Sequence, residues 1–303
     1  MEHVKLFRKM GSQKVFTDVR EFVMTEEEQR ENGYIYFENE HSRRAEYKRD
    51  KWSSLAFMPD HDDTRKCTRC SRLFNRKSKL LHPNACQFHP LKPEVRNGLA
   101  FHACCGKRCG TARGCVRHDF HVHRQPTESV LEQFVRTPAP TSTGDFRSNK
   151  VFALDVEMVN TENGIEAARV SLIDHKRRVL MDEYVRPEGR IVHLNTRFSG
   201  VHAHHLDGAR HLEEVRASLF LFVNNTSILV GHGLANDLKV LRMVHPRVID
   251  TGVLVPSAGG NMSSLRNLAM LFLNRSIHEN PENGHCSVED ARVCLLILEH
   301  LAM

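Results

Sequence analysis

The stretch VFALDVEMV, residues 151–159, decides the fold class of the second half of this 303-residue chain. It is a short apolar run bounded by polar residues, which predicts a buried strand. Asp155 and Glu157 interrupt the run two residues apart, so on a strand both side chains project from the same face. Burying a carboxylate costs free energy unless it is paired or binds a metal, and two of them on one face also repel each other. The pair therefore indicates a strand that borders a divalent-cation site.

The pattern around this strand predicts an α/β domain with a mixed central sheet. Strands are predicted on both sides of a turn at 174–178, at 227–233 and at 247–255; helices are predicted at 212–223, 235–244, 263–273 and 287–303. Three antiparallel-type strands followed by alternating helices and strands are typical of this fold class. Residues 150–303 are numerous enough to bury a core of their own.

Two further acids and a histidine extend the predicted cation site. Asp237 follows the second apolar run at the start of a helix, Asp290 lies in the terminal helix, and His285 precedes Asp290 by five residues. Four carboxylates can hold two Mg²⁺ or Mn²⁺ ions roughly 3.5–4 Å apart, an arrangement used for phosphodiester hydrolysis. A nearby imidazole, whose ordinary pKa is about 6.5, can accept the proton of an attacking water.

Three stretches resemble the three motifs of the DnaQ-like DEDD exonucleases. They are FALDVEMV at 152–159, LVGHGLANDLKVLRMVHPRVIDT at 229–251 and HCSVEDAR at 285–292. The His-x4-Asp spacing of His285 and Asp290 is that of the histidine branch, called DEDDh. Three more stretches resemble the eukaryotic Rex/GOR RNA exonucleases specifically: TEEEQRENGY at 25–34, YVRP…IVHLNTRFSGV at 184–201 and NDLKVL at 236–241.

This resemblance implies an RNase H-like fold and the removal of nucleotides, as monophosphates, from the single-stranded 3′ end of RNA. It implies metal ligation by Asp155, Glu157, Asp237 and Asp290, a general base at His285, and Met158 against the terminal nucleotide. The chain departs from the family at His193-Leu194, where Asp-Tyr is usual, and at His278, where Gln is common. Neither position belongs to the metal-binding set, so the departures concern substrate contacts.

Two other functions remain open alternatives. A 3′→5′ DNA exonuclease would share the carboxylate motifs, although the Rex/GOR-specific stretches favour RNA. A non-catalytic RNA-binding scaffold would predict the loss of at least one motif acid, whereas all four acids and the histidine are present.

The positive charge of the chain is concentrated in its middle. Residues 61–150 contain 17 Lys and Arg against 7 Asp and Glu, a balance of +10, while the net charge of the whole chain is +6. The same segment holds seven of the nine cysteines. A basic, Cys/His-rich module beside an acidic domain indicates a binding surface for a polyanion such as RNA. A solvated basic surface is the alternative.

Cysteines and histidines at metal-ligand spacing predict structural zinc in this segment. One predicted site combines Cys67-x2-Cys70 with Cys86-x2-His89, and a second group consists of Cys104, Cys105, Cys115 and His121. Zinc would supply folding energy to a segment with few large apolar residues. The resemblance to the Cys/His module that precedes the exonuclease domain in Rex/GOR relatives supports Cys115 and His121. Free cysteines in a loosely folded linker are the alternative.

The predicted organisation is an accessory segment at 1–60, a zinc module at 61–135, a linker rich in Pro, Thr, Ser and Gly at 136–149, and an exonuclease domain at 150–303. The chain shows neither a secretory signal nor an apolar run long enough to cross a membrane, so we expect a protein of the nucleus, or of the cytoplasm, that is not secreted. The charged run at 41–51 is either a nuclear-import signal or an ordinary solvated stretch.

Overall fold

The computed structural model describes residues 19–47, 63–76, 85–91, 93–111, 113–126, 128–257, 262–278 and 284–302. The helices are α1 (Glu26–Glu31), α2 (Glu128–Leu131), α3 (Thr196–Ser199), α4 (Leu212–Phe220), α5 (Leu234–Val240), α6 (Thr251–Leu254), α7 (Leu265–Leu273) and α8 (Ser287–Leu301), and short 3₁₀ helices span Arg20–Phe22 and Ala203–Leu206. The last four residues of the charged run at 41–51 lie outside the described residues. Among the described helices, none is both long and apolar enough to span a membrane.

The strands fall into one large sheet and several two-stranded ladders. Those before residue 150 are β1 (Ile35–Tyr36), β2 (Glu46–Tyr47), β3 (Thr64–Lys66), β4 (Leu73–Asn75), β5 (Cys86–Phe88), β6 (Pro93–Arg96), β7 (Leu99–His102), β8 (Val116–His118) and β9 (Val135–Arg136). Those after it are β10 (Val151–Thr161), β11 (Gly164–Asp174), β12 (Val179–Arg186), β13 (Ile191–His193), β14 (Arg210–His211), β15 (Ile228–Gly231), β16 (Met243–Val244) and β17 (Val248–Asp250).

The large sheet is mixed, as the sequence predicts. Its order is β14-β12-β11-β10-β15-β17, with β13 also paired to β10. The β10–β11 and β11–β12 pairs are antiparallel, whereas β15 lies parallel to β10 and β17 lies parallel to β15. This arrangement confirms the prediction of an α/β domain with a mixed sheet.

Alternate residues of β10 face two apolar layers on opposite sides of the sheet. The even-numbered residues of 152–156 pack in a cluster with α4 and α5, whereas the odd-numbered residues before Asp155 pack in a second cluster with α7 and α8. Asp155 and Glu157 continue the second face, toward the first turn of α8. Because strand side chains alternate, both carboxylates lie on the β10 face that packs against α8, next to the first turn of that helix.

Two of the predicted elements are wrong in extent. The helix predicted at 235–244 ends at Val240, because Arg242 adopts a left-handed backbone conformation (φ +50°) and the next residues form β16, which pairs with β9. The strand predicted at 247–255 covers only β17. The side chain of Asp250 accepts a hydrogen bond from the Gly252 N–H at 3.0 Å, and this cap begins helix α6.

Segments outside residues 150–303 lie directly on the sheet domain. The N–H of Met24 donates to the carbonyl of Val248 at 2.9 Å, and Arg147 donates to the carbonyl of Phe220 at 2.8 Å. The predicted boundary between module and linker, at 135/136, falls inside β9. The Pro/Thr-rich stretch predicted as a linker thus contacts the domain that it precedes.

Candidate active site

Three of the predicted ligands converge where β10 meets α8. A carboxylate oxygen of Asp155, one of Glu157 and one of Asp290 all lie within 4.8 Å of one another. Strand alternation places the first two on one face, and Asp290 lies in the first turn of α8, which packs against β10. Carboxylate oxygens are the ligands that Mg²⁺ and Mn²⁺ prefer, so this group can hold a hard divalent cation.

Asp237 approaches the same point from α5. Its Oδ1 accepts a hydrogen bond at 2.8 Å from the backbone N–H of Val156, the residue between Asp155 and Glu157. All four predicted acids therefore border the middle of β10, although they come from two helices and a strand.

Asp250 holds the beginning of α5 in place, a role that the sequence did not predict. It is buried, and its carboxylate accepts hydrogen bonds from the N–H groups of Gly233 and Leu234 at 2.8 and 2.9 Å. The hydroxyl of Tyr34, in the N-terminal segment, donates to the same carboxylate at 2.8 Å. Asp250 thus fixes the helix that carries Asp237. The sequence feature that could have indicated this role is an acid at the end of a predicted apolar strand.

The charges of these acids oppose one another. Burial, and then the neighbouring carboxylates, raise the pKa of Asp155, of Glu157 and of Asp237 above the ordinary values. In addition, Oε1 of Glu157 is buried and has no hydrogen-bond partner among the described residues. A buried, unpaired carboxylate oxygen beside two like charges fits the coordination of a divalent cation, which would compensate all of them.

His285 and His278 lie together over Asp290. Nε2 of His278 donates to both carboxylate oxygens of Asp290, at 2.7 and 2.9 Å, while Nδ1 of His285 lies 3.8 Å from Oδ2. The two imidazole rings are parallel, with centroids 3.6 Å apart. Burial lowers the pKa of His285, which favours the neutral ring that can accept a proton. The sequence indicates only that position 278 departs from the family, whereas in the structure His278 contacts the predicted metal ligand Asp290.

The acids and His285 line one open pocket with a volume of about 210 Å³. The other lining residues are Arg124, Val156, Met158, Ile165, His232, Gly233 and Asn236. Met158 is partly buried against the neighbouring apolar cluster, so its thioether offers the pocket an apolar wall. Its contact with a terminal nucleotide stays a prediction.

The Cys/His segment contains two clusters of potential ligands, and their membership corrects the predicted grouping. One consists of Cys67, Cys70, Cys86 and His121, and the other of His89, Cys104, Cys105 and Cys115. Nδ1 of His121 lies 3.3 Å from Sγ of Cys70, and Nδ1 of His89 lies 3.5 Å from Sγ of Cys104. His89 and His121 therefore each belong to the cluster that the sequence order predicted for the other.

The pairing of two strands explains the exchange. β5 and β8 are antiparallel, with Cys86 opposite His118 and Phe88 opposite Val116. Cys86 therefore lies at the end of the ladder from which the chain continues to His121, while His89 follows the other end. Cys86 and His89 therefore lie at opposite ends of this ladder, and their side chains belong to different clusters.

Comparison with known proteins gives consistent similarities. Residues 152–298 match the RNase_T exonuclease family. The chain is 35% identical to RNA exonuclease 3 of Eremothecium gossypii, over 94% of this chain and 72% of that protein. It is 33% identical to RNA exonuclease 3 of Candida glabrata, over 95% and 69%.

Two other similarities cover less of the compared protein. The human RNA exonuclease 1 homolog is 34% identical over 93% of this chain, which spans only 23% of that protein. The solved Neurospora crassa Pan2 catalytic unit, with protease and nuclease domains, matches 55% of this chain and 29% of its own, at 25% identity and a TM-score of 0.47.

Proposed function

The chain belongs to the DEDDh-type Rex/GOR exonuclease family, and from that membership we propose that it hydrolyses RNA from the 3′ end to nucleoside monophosphates with two divalent ions. The observation that carries the proposal is the convergence of four acids on the middle of β10, where the buried Oε1 of Glu157 has no hydrogen-bond partner among the described residues. The RNase H-like fold is part of the same proposal. The antiparallel β10–β12 strands followed by parallel β15 and β17 support it.

Asp155, Glu157, Asp237 and Asp290 are the residues that would hold the two cations. When bound, such ions promote ionisation of the attacking water and offset the charge on the departing 3′ oxygen. His285 would accept the proton, since its ring borders the same pocket and its lowered pKa favours the neutral form that can act as a base. His278 occupies both oxygens of Asp290, so its side chain must release or share them when that carboxylate coordinates an ion.

The two rival functions are separated by one assay. A single-stranded RNA and a DNA of the same base sequence are incubated with the chain in Mg²⁺ and, separately, in Mn²⁺. We expect degradation of RNA to be faster than that of DNA. Preference for DNA would support the DNA exonuclease, and cleavage of neither would support the non-catalytic scaffold.

Two structural zinc ions, one in each Cys/His cluster, are the second part of the proposal. The described cysteines form no disulfide, and Sγ of Cys67 lies 3.7 Å from Sγ of Cys86. Tetrahedral Zn–S bonds of about 2.3 Å would place two ligand sulfurs roughly 3.8 Å apart. The donor set and spacing therefore fit zinc. The basic surface of this module would hold RNA by its phosphates, with an affinity that falls as salt rises.

The exchange of histidines predicts a specific pattern of zinc loss. Cys86→Ala combined with His121→Ala should remove one zinc per chain, because both changes fall in one cluster. Cys86→Ala combined with His89→Ala should remove both ions. Elemental analysis of the purified double variants measures this, with circular dichroism to verify folding. The opposite pattern would restore the sequential grouping and contradict the structure.

A further inference from the structure

Arg124 comes from the Cys/His module but borders the pocket of the catalytic acids. It is the only Lys or Arg among the described residues that line this pocket. The residue is accessible to solvent, although burial lowers the pKa of its guanidinium, and it makes no hydrogen bond or ion pair with the described residues. A positive charge is thus presented, uncompensated, at the mouth of a strongly acidic site.

The segment that carries Arg124 is attached to the first Cys/His cluster. His121 belongs to that cluster, and the next residue, Val122, is buried against Cys67 and Cys86. The N–H of Thr68 donates to the carbonyl of Val122 at 2.9 Å. Arg124 therefore lies three residues beyond a proposed zinc ligand, on a segment fixed by packing and by backbone hydrogen bonding.

The residues on either side of Arg124, His123 and Gln125, hold its backbone in place. Nδ1 of His123 donates to the carbonyl of Gln125 at 3.2 Å, and this bond spans Arg124. The side chain of His123 is buried. The ring of His123 packs against Gly164, because a Cβ added to Gly164 would lie only 3.0 Å from Cε1 of His123. Gly164 begins β11, and the following residue, Ile165, also lines the catalytic pocket.

Two further contacts dock the module beside the pocket. Arg69 lies 3.0 Å from Nδ1 of His193 through one guanidinium nitrogen, and Val192 packs on the apolar cluster around Cys67 and Cys86. Both contacts involve β13, which pairs with the end of β10.

From this geometry we propose that Arg124 is a substrate-binding residue, supplied by the Cys/His module, whose guanidinium contacts a backbone phosphate of the RNA next to the catalytic pocket. The inference rests on the proposed function. An arginine binds phosphate through two parallel hydrogen bonds, which makes it a strong and oriented contact. Arg124 lines the pocket of the catalytic acids and places a positive charge beside it, where the phosphate backbone of the RNA would lie. The four acids and His285 are proposed to act at the phosphate that is hydrolysed. Arg124 would contact a different phosphate, so it contributes mainly to substrate binding.

The test compares Arg124→Ala with Arg117→Ala and Arg124→Lys in the full chain. Arg117 is exposed on β8 and does not line the pocket, so its replacement measures the loss of one module charge alone. Arg124→Ala should raise the KM for a single-stranded RNA roughly 10- to 100-fold more than Arg117→Ala, the effect of losing hydrogen bonds to a charged group. Its kcat should change less than KM. Arg124→Lys should recover part of the loss, and zinc content should be unchanged in all three variants.

A KM for Arg124→Ala equal to that of Arg117→Ala would overturn the proposal, as would a loss confined to kcat. Binding of the same RNA, measured by fluorescence anisotropy in chains that also carry Asp155→Asn, gives a readout independent of turnover. If the wild-type chain degraded no RNA, the proposed function would fail. A weaker affinity of Arg124→Ala in the binding assay would then still support the phosphate contact, and equal affinities would reject it.

Discussion

Replacing Asp155 by asparagine is expected to reduce the turnover of RNA by roughly 10³-fold or more, since metal ions supply several kcal/mol of transition-state stabilisation. Binding of RNA should remain largely intact, because the basic module does not depend on this carboxylate. Asp237→Asn should have the same effect on turnover. Single-turnover rates at saturating Mg²⁺, with RNA affinities measured in parallel, test both variants. A near wild-type rate in either one would contradict the two-metal assignment.

Asp155→Asn should lower turnover but raise the stability of the metal-free fold. The two effects together distinguish loss of metal binding from misfolding. Burial and Asp290 raise the pKa of Asp155 in the folded chain above its unfolded value of about 3.9. The ionised carboxylate therefore destabilises the metal-free fold above the folded pKa, and this penalty shrinks as the pH falls toward the unfolded pKa. Asparagine carries no charge. We expect Asp155→Asn to raise the metal-free Tm at pH 7–8, and to lose this advantage near pH 4.

Addition of Mg²⁺ at pH 7–8 should raise the Tm of the wild type more than that of Asp155→Asn, because ligands that bind only the folded chain stabilise it. Glu132→Gln, a change at an exposed acid outside the pocket, provides the control for loss of one negative charge. An Asp155→Asn variant with a lower metal-free Tm than this control would show that the carboxylate stabilises the fold, contrary to the account.

His285→Ala should lower the maximal rate by roughly 10²- to 10⁴-fold, the usual contribution of general base catalysis. The dependence on Mg²⁺ should change little, because hard cations favour oxygen ligands. In the wild type the rate should rise with pH as the imidazole loses its proton. Since burial lowers the pKa of His285, the midpoint of that rise should lie below the ordinary imidazole value of about 6.5. The variant should lack this limb.

A role for His285 in capping α8 gives a different outcome. The N-cap of that helix is Cys286, and the N–H of His285 donates to the carbonyl of Phe198 at 2.8 Å. If position 285 only held this backbone, His285→Asn would keep most of the activity and the pH limb would persist. Rate–pH profiles of the wild type and of the Ala and Asn variants at saturating Mg²⁺ decide between the two roles.

The sheet and its acids were largely predictable because both depend on local periodicity. The two-residue spacing of Asp155 and Glu157 fixes their common face, and the positions of Asp237 and Asp290 in the first turns of their helices follow from helix-start signals. The mixed sheet follows from the order of strands and helices. The roles of these residues in catalysis stay predictions, which the substitutions above test.

The features that could not be predicted depend on contacts between distant segments. Membership of His89 and His121 in the zinc clusters is decided by the register of β5 against β8, which residue spacing does not encode. The contact of His278 with Asp290 requires a left-handed backbone at His278 (φ +57°) that composition does not indicate. The position of Arg124 at the catalytic pocket depends on how the Cys/His module packs against β13 and β11.

Metal-dependent 3′→5′ hydrolysis of RNA is tested most directly by the products released from one RNA labelled at either end. With Mg²⁺ present, 5′-labelled single-stranded RNA should give a ladder of progressively shorter fragments. The same RNA labelled at its 3′ terminal nucleotide should release labelled nucleoside monophosphate from the first time point, without intermediates. EDTA should abolish both patterns, and so should Asp155→Asn. Early release of the 5′ label as a mononucleotide, internal fragments from both substrates, or undiminished hydrolysis in EDTA would contradict a metal-dependent 3′→5′ exoribonuclease.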